Sequence, residues 1–157
     1  MQALALERRT PAVSIYGTFK RFFEDLVEYA KSTKHEGHLL SEKPIVRRML
    51  TDLAIELEML KLFAFHMTWK MSQGEISAYV ASRNKIMRDR VVQLAANAGA
   101  EILGAYSQVD PDSKWSRLNG IVQGAYLGFL GAQIAAGTTE IEKSIIAQFG
   151  LGLPKSM

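Results

Sequence analysis

The stretch AAGTTEIEKSIIA, residues 135–147, is where one helical pattern breaks and another begins. Gly137 can adopt the positive φ that ends a helix. Thr139 and Glu142 have the spacing of a capping box, in which the hydroxyl and the carboxylate each accept a hydrogen bond from a free amide of the first turn. Glu140 lies in the predicted first turn, where the helix dipole favours negative charge. These residues predict a corner between two helices.

Four long segments precede this corner, and in each of them apolar residues recur at spacings of three and four. The segments are residues 3–32, 41–73, 75–103 and 115–134. The pattern predicts an all-α fold, an up-and-down four-helix bundle with an extra short C-terminal helix. No composition shift or repeat divides the chain, so we expect a single domain over residues 1–157.

The helix ends carry their own signals. Ser41 can cap the second helix, and Pro44 in its first turn loses no useful amide. Gly104 can close the third helix. Residues 33–40 are predicted to form a polar turn around Gly37. Apolar residues fall off the main stripe of the second helix, so we expect that helix to be buried on most sides.

Composition limits the function classes. The 157 residues include no cysteine, which excludes disulfides and thiol chemistry and fits a reducing compartment, and we expect a cytoplasmic protein. The formal net charge of +3 is too small to indicate nucleic-acid binding. Residues 118–139 lack charges and are long enough to span a membrane, with glycines at four-residue spacing from Gly120. Their amide side chains and glycines favour a buried helix whose small residues let a neighbouring helix or a flat ligand come close.

Seven short runs of sequence together resemble the C-terminal helical domain of the acyl-CoA dehydrogenases, over nearly the whole chain. In chain order they are LER at 6–8, EYAK at 28–31, LLSEKPIVRR at 39–48, LAIELE at 53–58, EILG at 101–104, GTTEIEKSIIA at 137–147 and LGLP at 151–154. The family's complete subunit also has an N-terminal helical domain and a middle β domain, for which this chain is too short. The resemblance therefore implies a split subunit or a fragment of a longer enzyme.

The family's chemistry is implied by the same resemblance. A carboxylate removes the α-proton of an acyl-CoA while a hydride leaves the β-carbon for N5 of FAD, in a site that excludes water. Such oxidoreductases act in the catabolism of fatty acids or steroid side chains and pass electrons to an acceptor flavoprotein. We expect the chain to need other parts of such an enzyme for activity, and to form a homo-oligomer or a hetero-oligomer with another acyl-CoA dehydrogenase subunit.

The catalytic base departs from the family pattern. The usual glutamate precedes the Gly-Thr of the signature, and Ala136 stands there, without an ionisable group. Some members place the base in a Glu-Arg pair on the first helix, which matches Glu7 and Arg8. Glu7 is therefore the candidate base, and an ordinary surface or salt-bridged role for it stays open.

The implied FAD contacts also depart from the pattern. Gly137, Thr138 and Glu140 match cofactor-contacting positions of the signature. Where the family has an arginine and a phenylalanine after the first helix, this chain has Thr33 and Glu36. Lys34 supplies some positive charge but no bidentate guanidinium.

A further departure stands at the end of the third helix, where Glu101 replaces a family glutamine and would repel a pyrophosphate. Some family members pair two different subunits, one of which has lost its base and flavin contacts. The alternative hypothesis is accordingly a non-catalytic helical-bundle scaffold or oligomerisation subunit of the same descent.

Other charged residues predict less. His35 and His38 lie close together, but without further ligands they do not predict a metal site. His66 lies in an apolar helix and is expected to be a hydrogen-bonded core or interface residue. The basic residues between 83 and 90 divide into two helix faces, Arg83 with Arg90 and Lys85 with Arg88, both of which we expect to be solvated.

Overall fold

The computed structural model of the protein describes residues 11–75 and 77–155. Its regular elements are α1 (Pro11–Ser32), β1 (Lys34–His35), β2 (His38–Leu39), α2 (Pro44–Ser72), α3 (Ala78–Leu103), α4 (Ile121–Ile134) and α5 (Thr139–Ile145). Short 3₁₀ turns occupy Leu40–Glu42, Gly104–Gln108 and Leu118–Gly120, and a π turn follows α5 at Ile146–Gly150. The predicted all-α bundle of four helices with a short C-terminal helix is confirmed.

The predicted polar turn at residues 33–40 is more ordered than expected. It forms a two-stranded antiparallel hairpin, in which Lys34 pairs with Leu39 and His35 with His38. The two loop residues, Glu36 and Gly37, both have positive φ, at 55° and 85°. Two such residues in a row match the twist of a tight hairpin, which is why the chain reverses here within two residues.

Two predictions about where helices begin are wrong. Ser41 does not cap α2, because it lies inside the 3₁₀ turn and Lys43 occupies the N-cap position without a side-chain bond. Pro44, whose φ is already helical, fixes the start instead. The third helix begins at Ala78 rather than at residue 75, while Gly104 ends it at a φ of 55°, as predicted.

The core lies where α1, α2 and α3 meet. Phe22, Leu26, Leu53, Leu60 and Val91 are almost completely buried. The helix α3 is central, since it packs against α1, α2, α4 and α5.

Gly99 permits the closest approach in this core. A Cβ added there would lie 2.9 Å from the Phe22 ring and 3.1 Å from Val122. Glycine is therefore required where α1, α3 and α4 come together.

Two expectations about burial are wrong. The helix α2 is not buried on most sides, because a row of its large apolar side chains faces outward. The uncharged segment is not a buried helix either: Leu127 and Ile134 of α4 are exposed, and no described atom lies within 4 Å of a Cβ added at Gly124 or Gly128. In the part of the chain that the structure describes, no helix is long and apolar enough to cross a membrane.

Candidate functional site

A pocket of about 420 Å³ lies between the hairpin and the C-terminal end of α3. Thr33 and Lys34 line it from the hairpin side, and Glu101 lines it from α3. Three positions that the resemblance implies as cofactor positions thus lie around one opening. Glu36 is exposed at the hairpin loop and is not part of the lining.

Residues that the sequence analysis did not select also shape this pocket. Lys43 and His35 belong to its lining, and the Lys43 Nζ donates to His35 Nδ1 over 2.8 Å. Tyr106 also lines the pocket, and the Arg117 guanidinium lies 4.8 Å from the centre of its ring. Lys43 stands next to Pro44 in one of the seven family-like runs, which is a signal that could have identified it.

Whether this pocket could accept the pyrophosphate of FAD depends on the charged side chains that line it. Lys34 and Lys43 offer two cations on the hairpin side. Glu101 presents a carboxylate from α3, which would repel a phosphate. The pocket therefore fits an anionic group on its hairpin side and opposes it on its α3 side.

The corner between α4 and α5 is tighter than predicted. Ala136 and Gly137 both have positive φ, at 60° and 111°, so the expectation for Gly137 is confirmed. For Ala136 the left-handed conformation costs about 1–2 kcal/mol, which the surrounding structure must offset. The side chain at this position is a methyl group, which can neither accept nor donate a proton.

The predicted capping box is wrong. Thr138, not Thr139, is the N-cap of α5, and no side-chain bond caps the helix there. The Glu142 amide donates instead to the Thr138 carbonyl over 3.0 Å, and the Glu142 side chain is fully buried. Thr139 is the first helical residue, so its hydroxyl is one position too late to serve as the cap.

Thr138 and Glu140, both predicted cofactor contacts, interact with one another. The pKa of the Glu140 carboxyl lies below its ordinary value because it accepts a hydrogen bond from its own backbone amide and another from the Thr138 side chain. Lys143 adds a smaller contribution in the same direction. Glu140 is exposed and ionised, so this corner presents negative charge to its surroundings.

A buried cluster of charged residues on α3 contacts the end of α4 that leads into the corner. The Lys85 Nζ bonds Asp89 Oδ2 and also donates to the Gln133 carbonyl in the last turn of α4, over 3.2 Å. Arg88 donates to the other Asp89 oxygen over 2.9 and 3.1 Å. The Lys85 and Asp89 side chains are only 1% and 4% exposed, so the predicted solvated face is wrong for Lys85.

The opposite face of α3 connects to α2. The Arg83 Nη2 donates to His66 Nδ1 over 3.0 Å and stacks on Phe63, and its pKa is lowered by burial. Arg90 pairs with Glu56 of α2. The predicted division of the basic residues into two faces is confirmed, as is the hydrogen-bonded position of His66. The predicted solvation is wrong for Arg83, which is partly buried against α2.

The predicted cofactor residues form two groups rather than one site. Lys34 and Glu101 line the hairpin pocket, whereas Gly137, Thr138 and Glu140 belong to the corner. The two groups lie at different heights along α3, where Glu101 borders the pocket and Lys85 contacts the end of α4. At a rise of 1.5 Å per helical residue, these two positions are about 24 Å apart along the helix. Glu7 and Arg8 lie outside the described residues. Among residues 11–75 and 77–155, no group of three or more acidic or histidine side chains is arranged to hold a metal ion.

The chain belongs to the acyl-CoA dehydrogenase family, since it matches the family model described as "Acyl-CoA dehydrogenase, C-terminal domain" over residues 1–151. A curated relative, L-prolyl-[peptidyl-carrier protein] dehydrogenase of Serratia sp. (strain ATCC 39006), is 24% identical over 132 residues. That match covers 84% of this chain and 32% of the relative. The chain therefore spans about a third of the relative's length.

Solved structures share the fold. The "Tcur3481-Tcur3483 steroid ACAD" is 26% identical with a TM-score of 0.86, over 98% of this chain and 38% of that chain. The ChsE4-ChsE5 complex from Mycobacterium tuberculosis is 26% identical with a TM-score of 0.79, over 92% of this chain and 37% of that chain. The prolyl acyl carrier protein oxidase AnaB, at 23% identity and a TM-score of 0.83 over 96% and 37%, shows the likeness of the fold alone.

Proposed function

We propose that the chain is the C-terminal helical part, as a split subunit or fragment, of a cytoplasmic FAD-dependent acyl-CoA dehydrogenase that forms the α,β double bond of an acyl-CoA. The family match over residues 1–151 carries this proposal. The N-terminal helical and middle β domains of such an enzyme would belong to a partner subunit in the first case and to the rest of the same chain in the second. An acceptor flavoprotein would then take the electrons.

The two separated residue groups support an assembly of several subunits. When bound, FAD supplies the hydride acceptor, and the protein supplies binding and orientation. Lys34 and Lys43 would hold the anionic part of one cofactor, while Thr138 and the turn at Gly137 would contact another. Two of the similar solved structures carry the names of two paired proteins, Tcur3481-Tcur3483 and the ChsE4-ChsE5 complex. This pairing favours a partner subunit for the present chain as well.

Proton abstraction would have to come from a residue other than Ala136. We assign it to Glu7, whose position matches the alternative base of the family. Replacing Glu7 by Gln in the assembled enzyme keeps the size of the side chain and removes the base, so turnover should fall by at least about a hundredfold. Glu24→Gln, a change at an exposed glutamate of α1, is the control. Unchanged turnover of Glu7→Gln would remove Glu7 from the mechanism.

A non-catalytic scaffold of the same descent is the second candidate, and the carboxylate of Glu101 on the wall of the pocket favours it. Visible flavin absorbance of the purified chain, alone and after mixing with a co-encoded partner subunit, decides between the two. Retained flavin supports the enzyme, and its complete absence from both samples supports the scaffold.

A charge-reversing pair of variants then tests the pocket. Lys34→Glu should release flavin, whereas Lys31→Glu, on the exposed end of α1 outside the pocket, should not. Equal flavin content in the two variants would show that this pocket does not hold the cofactor.

A further inference from the structure

An asparagine followed by a glycine, Asn119-Gly120, lies directly before α4 and belongs to neither group of predicted cofactor residues. The chain has two other asparagines. Asn84 is only 1% exposed, and Asn97 is exposed but lies inside α3 with an alanine after it. Asn119 is therefore the asparagine that combines an exposed side chain with a glycine neighbour outside the long helices.

The backbone at this dipeptide forms a tight left-handed turn. Asn119 has φ and ψ of 54° and 31°, and Gly120 has φ and ψ of 67° and 9°. The Ile121 amide donates to the Leu118 carbonyl, so the bond and the angles are those of a type I′ turn. The Gly120 amide donates to the Arg117 carbonyl over 3.0 Å. The Gly120 nitrogen is thus held in a hydrogen bond while the turn is closed.

The residue before the turn is strained. Leu118 has a φ of 51°, which is a steric outlier for a bulky side chain. Its side chain packs against the core, and this packing holds the backbone in the left-handed conformation. Because the strain is released when the turn opens, less free energy is needed to open this turn than an unstrained one. Loops of this kind open far more often than core helices do.

The dipeptide can react with itself once the turn is open. The Gly120 nitrogen loses its proton and attacks Asn119 Cγ, the Cγ–Nδ2 bond breaks, and ammonia leaves. Water then opens the cyclic imide at either of its carbonyls, which yields aspartate or isoaspartate. A glycine favours the attack because no side chain obstructs its nitrogen and its backbone turns freely. Asparagine is accordingly one of the thermolabile residues of proteins.

The product would change the charge in front of α4. Residues 118–139 carry no charge, so the new carboxylate would be the first one in this segment. It would lie near the N-terminal end of α4, where the helix dipole favours negative charge. It would also lie two residues from Arg117, whose guanidinium lies over the Tyr106 ring at the pocket. An isoaspartate would in addition lengthen the backbone of the turn by one carbon atom.

We propose that Asn119 is a site of self-deamidation whose rate is set by the opening of the left-handed turn. The modification goes beyond the proposed function because it requires neither flavin nor substrate nor a partner subunit. It can therefore fail while the flavin experiment succeeds, and the reverse.

The first experiment incubates the full chain at mildly alkaline pH and follows it by tryptic digestion and mass spectrometry. Trypsin releases residues 118–143, which contain Asn119, and residues 91–114, which contain Asn97. Asn119 should be converted at least about tenfold faster than Asn97, because a surface turn opens more readily than a core helix. An isoaspartate-specific methyltransferase should label residues 118–143, which distinguishes the imide route from direct hydrolysis of the amide.

The second experiment tests the role of the turn. Asn119→Gln should abolish the label, since the longer side chain closes the corresponding ring much more slowly. A Cβ at Gly120 would lie 2.6 Å from the Pro111 side chain, so the proline ring packs directly on the turn. Pro111→Ala should therefore accelerate the conversion of Asn119 and leave that of Asn97 unchanged. In urea, where the turn is absent, Asn119 should react faster than in the folded chain.

Three outcomes would overturn the proposal. One is a conversion of Asn119 that is no faster than that of Asn97, and another is a product that contains aspartate alone. The third is an equal rate for Asn119 in the folded and the urea-unfolded chain, which would show that the turn does not control the reaction.

Discussion

The helices α2 and α3 lie side by side, and the exposure of their side chains is the reverse of what their composition indicates. The apolar α2 exposes Leu62, Phe65 and Trp69, whereas α3 buries Lys85 and Asp89 completely. Among the described residues, α3 packs against four other helices, while the main helical neighbours of α2 are α1 and α3. Burial is thus set by how many neighbours surround a helix, and charged residues on the central helix must find their partners inside the protein.

The largest expected effect comes from removing a charge from the central helix. Lys85→Met keeps the length and apolar stem of the side chain but breaks the bonds to Asp89 and to the Gln133 carbonyl. Breaking a buried ion pair typically costs 3–5 kcal/mol, and because Arg88 still holds Asp89 we expect about 3 kcal/mol. Urea unfolding measures this loss, and hydrogen exchange should show faster amide exchange at Ala135 and Gly137.

The chain offers a matched control for this change. Lys20 and Glu24 form a pair with the same four-residue spacing on the exposed surface of α1, and Lys20→Met should change stability by less than about 0.5 kcal/mol. Adding Asp89→Leu to Lys85→Met should restore part of the stability, because a buried carboxylate that has lost its Lys85 partner is then removed. Similar losses in Lys85→Met and Lys20→Met would contradict the buried role of Lys85.

Glycine variants compare the centre of the bundle with its open side. At Gly99 an added methyl group meets Phe22 and Val122, so Gly99→Ala should destabilise the protein by about 1–3 kcal/mol. At Gly128 no described atom lies in the way, and Gly128→Ala should stabilise α4 by about 0.5–1 kcal/mol through its higher helix propensity. Thermal unfolding distinguishes the two signs. A stabilising Gly99→Ala would show that α1, α3 and α4 are less closely packed than described.

The contact between the two helices themselves should have an intermediate effect. Arg90 of α3 pairs with Glu56 of α2, and Glu56 is buried while Arg90 is largely exposed. Arg90→Met leaves a buried carboxylate without this partner and should cost about 1–2 kcal/mol in urea unfolding. Arg21→Met, which breaks an exposed pair with Asp25, should cost less, and a larger loss there would reverse the comparison.

Sequence reasoning predicted the number and order of the helices because their signals are local. Spacings of three and four, Pro44 at a helix start and Gly104 at a helix end depend on neighbouring residues only. The resemblance also selected Lys34 and Glu101, which the fold brings to one pocket.

What failed depended on contacts between distant residues. The periodicity separates Lys85 from Arg83 correctly, but it carries no information that Gln133, 48 residues away, closes over Lys85. Nor does it reveal which apolar face of α2 the other helices cover. In the corner, the N-cap of α5 is Thr138 instead of the predicted Thr139. The chain reaches this N-cap through the positive φ of Ala136, a conformation that the presence of an alanine does not predict.

The smallest effect is expected for Glu140, whose carboxylate is exposed to solvent, whereas that of Asp89 is buried. The Glu140 carboxyl has a pKa below its ordinary value of 4.5, because the folded state donates hydrogen bonds to its ionised form. Its contribution to stability is therefore present above pH 4.5 and is lost as the pH falls through the lowered pKa. Glu140→Gln should lower the melting temperature slightly at neutral pH, and this difference should vanish in strong acid. Glu24→Gln provides the control. A difference between Glu140→Gln and the wild type that persists at low pH would mean that the carboxamide disturbs the corner by its shape rather than by the loss of charge.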